Sequence, residues 1–383
     1  MAAFTTVMLV GTAQANTPEN NTPEYEWDPV LVTAQRYEKR DVDTPAATNV
    51  YTQEELLSTG ASNVLEALKQ TEGLVYQAMG PGGAPMSTMT SKITIRGVTS
   101  GTLVLLNGTP LNLRGLYSLE DIPLSNVERV EIVRGGGSVL HGSSATGGVI
   151  NIITKKTLEN SIKVSAGNFG QQNHSLNLQT GKLSLGFTHD QCRDIDKISS
   201  AVSANKEMNQ FFRGLERNNQ SLTYNFDDHL SLLYSHNEST YNFDYMFGSG
   251  YGAAQGQTRY DRKYSDTKDH VQLQYQQDHL KGSVYYNRKD LHSLGQDYYN
   301  STGTTKYTTP TLTDKIERNY TYGFDVQRDW LINNDKALLG FSYQNEYYTP
   351  DRNNPLDYRR DNYSVYGQWE RPMDTSNTLI ISG

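Results

Sequence analysis

The second half of the chain alternates apolar and polar residues over segments of about 8 to 11 residues, which short polar turns join in pairs. Leu222 and Tyr224 alternate with polar residues before the turn that begins at Asp227, and Leu232 continues the alternation after it. This pattern predicts antiparallel strands arranged as hairpins. From Ser161 onwards we expect roughly eleven strands.

Short turns and long polar loops follow one another in this region. The stretches from Phe247 to Asp266 and from Tyr298 to Asp314 are predicted to be long loops. A barrel in the bacterial outer membrane has short periplasmic turns and long external loops, whereas a soluble β-sandwich does not need this asymmetry. Such barrels usually have an even number of strands, and this chain stops at Gly383 within a predicted strand. We therefore expect only part of a barrel.

Residues 52–155 have the pattern of a small α+β domain. Thr52 and Glu55 form a capping box, which predicts a short helix through Ser58. Ser62 is predicted to cap a second helix, which Gly73 ends. Four apolar segments predict short strands: 93–95, 103–106, 130–133 and 149–153.

The first 40 residues have the composition of an export signal followed by a linker. Residues 4–10 are mostly apolar and Ala13-Gln14-Ala15 is a small-residue cleavage pattern, so residues 1–15 are predicted to be a partial signal peptide that lacks its basic start. Residues 16–40 contain the sequence NTPE twice and are predicted to be a periplasmic linker. The extended apolar segment 28–34 within it is either an edge strand or a peptide that adds itself to a partner's sheet.

Composition excludes several classes of protein. The net charge is −8, so a basic nucleic-acid surface is not expected. No 18 consecutive apolar residues occur, which excludes a bundle of membrane helices. The 26 tyrosines suit strands and the aromatic girdles of barrels. Cys192 is the only cysteine, so neither a disulfide nor a cysteine-rich metal site can form within the chain.

No enzyme motif was found. Residues 137–144 resemble a phosphate-binding loop but lack its lysine, and neither His-Glu-x-x-His nor Gly-x-Ser-x-Gly occurs. We therefore expect no enzyme, no cofactor and no metal site. A calcium site at Asp244, Asp261 and Asp266 is a weaker alternative.

Several motifs, in order along the chain, resemble those of TonB-dependent outer-membrane receptors. They are residues 28–34, 95–97, 104–111, 127–135 and 142–155, and the last, GSSATGGVINIITK, is the most specific. One departure is the glycine run 135–137, where a Gly-Pro often stands. The resemblance implies an α+β plug domain inside a transmembrane antiparallel β-barrel of about 22 strands. We place the plug at residues 41–156 and a partial barrel at residues 157–383.

The resemblance also implies partners and site residues. The inner-membrane protein TonB, with ExbB and ExbD, would pair with a TonB box made of Asp28, Pro29, Val30, Leu31, Val32, Thr33 and Ala34. Arg96 and Arg134 would lock the plug to carboxylates of the barrel wall, although ordinary surface arginine is the alternative. Substrate would contact two apical segments, 79–90 and 113–117, for which the candidates are Met79, Pro81, Met86, Leu113, Arg114 and Tyr117. For each of these, a solvated or wall-packed loop is the alternative.

The expected function is energy-coupled import through the outer membrane, where the barrel would contact lipid. Ferric siderophore is the first expectation for the ligand because it is the commonest in the family. Cobalamin follows, since residues 28–36 and 111–113 look similar to those of cobalamin-type receptors, and haem is third. A passive porin or an adhesin is the alternative from another class, although neither needs a plug or a TonB box.

Overall fold

The structure is a computed structural model that describes residues 31–32, 39–40, 47–71, 74–77, 80, 82, 91–98, 101–113, 115–135, 141–203, 206–247, 257–299, 311–351, 356–373 and 378–383. Within these residues two bodies of structure are present. One is a small α+β unit, which we call the plug, and the other is a large antiparallel sheet, which we call the wall. Among the described residues no helix is long and apolar enough to cross a membrane.

The plug combines short strands with two short helices. Its strands and helices are β3 (Ala47–Thr52), α1 (Gln53–Ser58), α2 (Val64–Leu68), β4 (Leu74–Gln77), β5 (Lys92–Ile95), β6 (Thr102–Leu106), β7 (Thr109–Pro110), β8 (Val127–Arg134) and β9 (Gly148–Thr154). Five strands form one sheet in the order β3-β8-β9-β6-β7, in which β6 and β9 are parallel. Strands β4 and β5 pair separately. Upstream, β1 (Leu31–Val32) pairs with β2 (Lys39–Arg40).

Local sequence signals explain most of the plug's elements. The capping box is confirmed: the Thr52 hydroxyl accepts from the Glu55 amide at 3.3 Å, and the Glu55 carboxylate accepts from the Thr52 amide at 2.7 Å. The predicted cap of the second helix is wrong by one residue. Asn63, whose backbone is extended, accepts from the Glu66 amide at 3.0 Å, and the helix therefore begins after Asn63 instead of Ser62.

Two glycine positions have a steric cause. Asn107 and Gly108 both have positive φ, at 47° and 81°, and make the two-residue turn between β6 and β7. Gly148 has φ of 152°, and a Cβ there would lie 2.6 Å from the carbonyl oxygen of Val133. Only glycine lets β9 start this close to β8.

The plug has an apolar core on both faces of its sheet. All five residues of β6 and the first five of β9 are buried. Both helices pack their apolar side chains into the same core, which includes Leu56, Leu65 and Leu68. Strands that are buried on both faces consist of continuous apolar residues, and for this reason the sequence predicted β6 and β9.

The wall contains twelve strands among the described residues. They are β10 (Ser161–Ala166), β11 (Gln172–Thr180), β12 (Leu183–Cys192), β13 (Ile195–Ser203), β14 (Lys206–Asn225), β15 (Leu230–Phe247), β16 (Gln257–Gln277), β17 (Leu280–Tyr299), β18 (Thr311–Ile332), β19 (Asp335–Thr349), β20 (Tyr358–Pro372) and β21 (Thr378–Ser382). Each pairs with the next, except that β12 and β13 both pair with β14 at different heights. Strands β10 and β21 are the two ends of the sheet, so the sheet is open.

The wall strands are longer than predicted. Strand β16 has 21 residues and β18 has 22, whereas about 9 to 11 residues cross a bilayer core. The predicted loops were therefore too wide: β16 already begins at Gln257 and β18 at Thr311. Outside the hydrocarbon the strands no longer need apolar residues on one face, so their alternation is lost while the hydrogen-bonded pairing continues.

The two faces of the wall have opposite polarity. On β17, Tyr285, Asn287 and Lys289 are buried on the face toward the plug, whereas Val284 is 59% exposed on the other face. The exposed apolar side chains of neighbouring strands continue this outer band, as at Phe324. An apolar exterior with a polar interior is the pattern of a membrane barrel.

Candidate functional site: the plug–wall interface

The plug contacts three wall strands through Asp121, which follows the segment 117–120 of the plug. Its carboxylate accepts from the Arg217 Nε on β14 at 3.1 Å and from the Ser239 hydroxyl on β15 at 3.0 Å. It also forms an ion pair with the Lys268 ammonium on β16. We call these four residues the clamp. One plug carboxylate therefore contacts three adjacent wall strands.

Strand register explains why the wall's clamp residues converge. Two wall members of the clamp, Arg217 on β14 and Ser239 on β15, stand directly opposite each other. Asp190 on β12 and Asp266 on β16 extend this row at its two ends, and all four side chains are buried on the plug side. Arg217 is completely buried, and its guanidinium also lies 3.9 Å from Asp190. A buried arginine of this kind requires carboxylate partners, because an unpaired charge is very costly away from water.

A second row of wall residues, from Lys268 of the clamp to Lys289, adds positive charge. Lys268 lies 2.7 Å from the Asp266 carboxylate, and Lys289 on β17 lies 3.3 Å from it. Burial alone would raise the pKa of Asp121, but Lys268 and Arg217 together lower the pKa of Asp121 below its ordinary value. The carboxylate is therefore ionised and compensated at neutral pH.

Glu120, beside Asp121, has the opposite electrostatic behaviour. Burial and the neighbouring Asp121 raise the pKa of Glu120 to about 7, although Lys268 and Arg217 act against that rise. Its carboxyl bonds with the Ser91 hydroxyl, which also accepts from the Leu119 amide at 2.8 Å. Two adjacent acids thus differ because one has cationic partners and the other has a neutral one.

Hydrogen bonds from wall side chains to backbone carbonyls of the plug make further plug–wall contacts. The Asn287 amide on β17 donates to the Pro110 carbonyl at 2.8 Å, and the Gln272 amide on β16 donates to the Asn107 carbonyl at 3.3 Å. The guanidinium of Arg217 donates to the Gly82 carbonyl at 3.3 Å. The β6–β7 hairpin of the plug is therefore held through its backbone carbonyl oxygens, and these bonds do not use plug side chains.

A cavity of about 110 Å³ lies between plug and wall beside the clamp. Its plug side is apolar, with Leu106, Leu111, Leu113, Leu116, Tyr117 and Ile122. Its wall side is polar and includes His270, Asn287 and Lys289. Two residues predicted to contact substrate, Leu113 and Tyr117, therefore line one cavity. The Tyr117 hydroxyl is engaged within the plug, where it accepts from the Ile93 amide at 3.1 Å.

An aromatic cluster lies further along the wall strands β14, β15 and β16, on the side that faces the plug. Tyr241 and Phe243 stack with Tyr264, with ring centroids 5.4 and 5.7 Å apart, and Phe212 packs in the same group. Gly80 approaches the Phe212 ring so closely that a Cβ would lie 2.7 Å from it. At Gly80 and Gly82 the predicted substrate loop therefore packs against the wall.

Both predicted lock residues lie beside other residues of the plug. Arg134 donates to the Asn49 side chain within the plug, and Arg96 is exposed with its guanidinium beside Gly135. The pairing of these two arginines with wall carboxylates stays a prediction. Among the described residues, the plug–wall ion pairs that we locate use a plug acid and wall cations, which is the reverse of the predicted polarity.

Other predicted site residues lie partly outside the described part of the chain. Of the TonB box, only Leu31 and Val32 are described, as the strand paired with Lys39–Arg40. Met79, Pro81, Met86 and Arg114 lie outside the described residues. The weaker calcium hypothesis gains no support. Asp244 is paired with Arg213 at 2.7 Å and Asp266 with two lysines, and the described residues hold no cluster suited to a metal.

Sequence reasoning missed the clamp. A signal existed in the plug, where Glu120 and Asp121 interrupt apolar residues just before Pro123. Another existed in the wall, where Arg217 and Lys268 occupy positions that alternation assigns to the inner face. Connecting these signals requires strand register, which the turns alone do not fix to one residue.

Comparison with known proteins agrees with this architecture. Residues 40–149 match the family described as the TonB-dependent Receptor Plug Domain. The chain is similar to the vitamin B12 transporter BtuB of Vibrio vulnificus, with 28% identity over 288 residues, covering 72% of this chain and 44% of the transporter. It is also 36% identical over 130 residues to BtuB of Photobacterium profundum, covering 33% of this chain and 20% of that protein.

Solved receptors share the fold. A ferric enterobactin receptor, PfeA of Pseudomonas aeruginosa, superposes with a TM-score of 0.59 at 16% identity, covering 92% of this chain and 58% of the receptor. The copper transporter OprC gives a TM-score of 0.51 at 13% identity, covering 87% and 62%. The chain spans less than half the length of the curated relatives it matches.

The plug match, the register of the wall strands and the shared receptor fold agree with one another. Residues 40–149 match the plug domain of TonB-dependent receptors, and the chain shares its plug-and-wall fold with solved outer-membrane receptors.

Proposed function

We propose that the full-length protein imports a bulky nutrient across the outer membrane and that TonB, ExbB and ExbD supply the energy. The observation that carries this proposal is the plug itself, which packs on the polar face of the wall and is held there by the clamp. A passive porin has no use for a domain fixed inside its lumen. An adhesin has no need of one either, and a transport receptor is not an enzyme.

Cobalamin is the ligand that we now place first. The vitamin B12 transporter of Vibrio vulnificus aligns with 72% of this chain, which is more than the plug alone supplies. Residues 111–113, which follow the plug hairpin, also look similar to those of cobalamin-type receptors. Leu111 and Leu113 line the cavity beside the clamp, which supports a ligand role for this segment.

Ferric siderophore, the first expectation from sequence, becomes the second candidate. The ferric enterobactin receptor shares the fold at 16% identity, and a fold in common does not select a ligand. Haem stays third. Met79, Pro81, Met86, Arg114 and Tyr117 remain proposed contacts for whichever ligand binds.

Growth tests separate these ligands. The full-length gene would be expressed in cells that lack their own cobalamin, siderophore and haem receptors, and each nutrient would be supplied alone at limiting concentration. We expect growth on cobalamin. Growth only on a ferric siderophore or only on haem would overturn the ligand order, and growth on none would overturn the import function.

A further inference from the structure

We propose that Asp121 seats the plug in the wall, so that no passage opens between them until its contacts with Arg217 and Lys268 are released. Asp121 holds the plug in the resting receptor, independently of any transport. Only the role of releasing these contacts during transport rests on the proposed import function.

Asp121 makes several plug–wall contacts at once. Asp121 reaches β14, β15 and β16 at once, through Arg217, Ser239 and Lys268. The carboxylate is buried, and its arginine partner has no exposed surface. Separation of plug and wall takes the plug carboxylate away from both cations. It leaves Arg217 with Asp190 at 3.9 Å, and it leaves Lys268 to share Asp266 with Lys289.

The plug–wall contacts of the β6–β7 hairpin are easier to exchange. Asn287 and Gln272 donate to the backbone carbonyls of Pro110 and Asn107. These are neutral hydrogen bonds, and water can replace either partner at a much lower cost than at a buried ion pair. The hairpin can therefore move without breaking an ion pair, whereas the segment that carries Asp121 cannot.

The clamp holds the plug by its core. The Ser91 amide donates to the Tyr117 carbonyl at 2.8 Å, and the Ser91 hydroxyl bonds both to Glu120 and to the Leu119 amide. The Ile122 carbonyl accepts from the Val64 amide at 3.0 Å, at the start of helix α2. Force on the plug is therefore transmitted to Asp121 through a packed segment and not through a free loop.

The test measures leakage of the full-length receptor in cells that lack TonB and receive no ligand. Asp121→Asn keeps the size of the side chain and removes its charge, and Asn287→Ala is the matched control because it removes a neutral plug–wall bond. Entry of vancomycin, which intact outer membranes exclude, reports an open passage. We expect the population of unseated plug to rise by about 100-fold or more in Asp121→Asn, with little change in Asn287→Ala.

A double variant tests the pairing itself. Lys268→Gln added to Asp121→Asn should increase leakage by less than the sum of the two single effects, because the ion pair is already lost. Assembly of each variant would be checked by heat-modifiable migration. If Asp121→Asn does not assemble, Ser239→Ala, which removes one bond to the same carboxylate, must leak more than Asn287→Ala.

Equal leakage from the charge variant and from Asn287→Ala, or no leakage from either, would overturn the proposal. Additive effects in the double variant would overturn it as well. Because neither ligand nor TonB is present, these outcomes are independent of the ligand assignment and of the import function.

Discussion

The plug and the wall bury their apolar residues in opposite directions. Ile150 and Ile132 of the plug are fully buried within the domain, whereas Val284 and Phe324 of the wall point away from it. The polar face of the wall lies against the plug, and charge is buried where the two meet. The plug thus buries apolar side chains as a water-soluble domain does, whereas the wall exposes them as a lipid-facing barrel does. The same kind of substitution should therefore change the free energy of unfolding by different amounts in the two regions.

The largest expected effect concerns the apolar core of the plug. Ile150→Ala should destabilise the plug by about 2 to 5 kcal/mol, because it leaves a cavity among packed neighbours. Val164→Ala on the outer face of β10, where the side chain is 68% exposed, is the matched control and should cost far less. Calorimetry of the full-length receptor in detergent would measure both. Equal losses would contradict the contrast between core and lipid face.

The next effect compares two adjacent residues of β17 on opposite faces. Val284→Arg places a charge in the outer apolar band and should cost about 2 to 4 kcal/mol if the residue lies near the bilayer midplane. Ser283→Arg, on the inner face, should cost little because it faces polar surroundings. Urea unfolding from lipid vesicles measures the difference, and a similar cost for the two arginines would show that the faces are wrongly assigned.

The pH dependence of the plug should be governed partly by Glu120. Its pKa is raised from 4.5 to about 7 by burial and by Asp121, so the folded plug binds a proton more tightly than the unfolded chain does. The stabilisation is complete below pH 4.5 and is lost as the pH rises through about 7.

Glu120→Gln tests that assignment because it keeps the hydrogen-bonding group and removes the titration. The variant should be more stable than the natural protein above pH 7, by about 3 kcal/mol at most. Its melting temperature should also vary less between pH 5 and pH 8. An unchanged pH profile would show that Glu120 does not titrate in this range.

The smallest expected effect is at a neutral contact between the two bodies. The Asn126 amide of the plug donates to the Ser221 hydroxyl of β14 at 2.8 Å. Asn126→Ala should cost about 1 kcal/mol, which is typical of one neutral hydrogen bond. A loss as large as that of Ile150→Ala would mean that this contact is more important than its chemistry indicates.

Local signals in the sequence were sufficient for some elements of the plug, but they did not predict β3, β4 or β7. The Thr52 capping box depends on neighbouring residues alone and forms as predicted. The Asn107-Gly108 turn likewise depends only on its own two residues and the strands that flank it. The side branch of β13, which makes the sheet twelve strands instead of eleven, depends on pairing at a distance. The same limit explains the clamp, since Asp121 and Lys268 are 147 positions apart in sequence.

The most direct test of the account is uptake by a receptor that lacks residues 28–34. Cells expressing the full-length protein or the deletion variant would be given labelled cobalamin, and binding at the surface would be measured separately from accumulation inside. We predict normal surface binding and no accumulation in the deletion variant, because the TonB contact is lost while the ligand site remains. Accumulation equal to that of the intact receptor would contradict energy-coupled import through this segment.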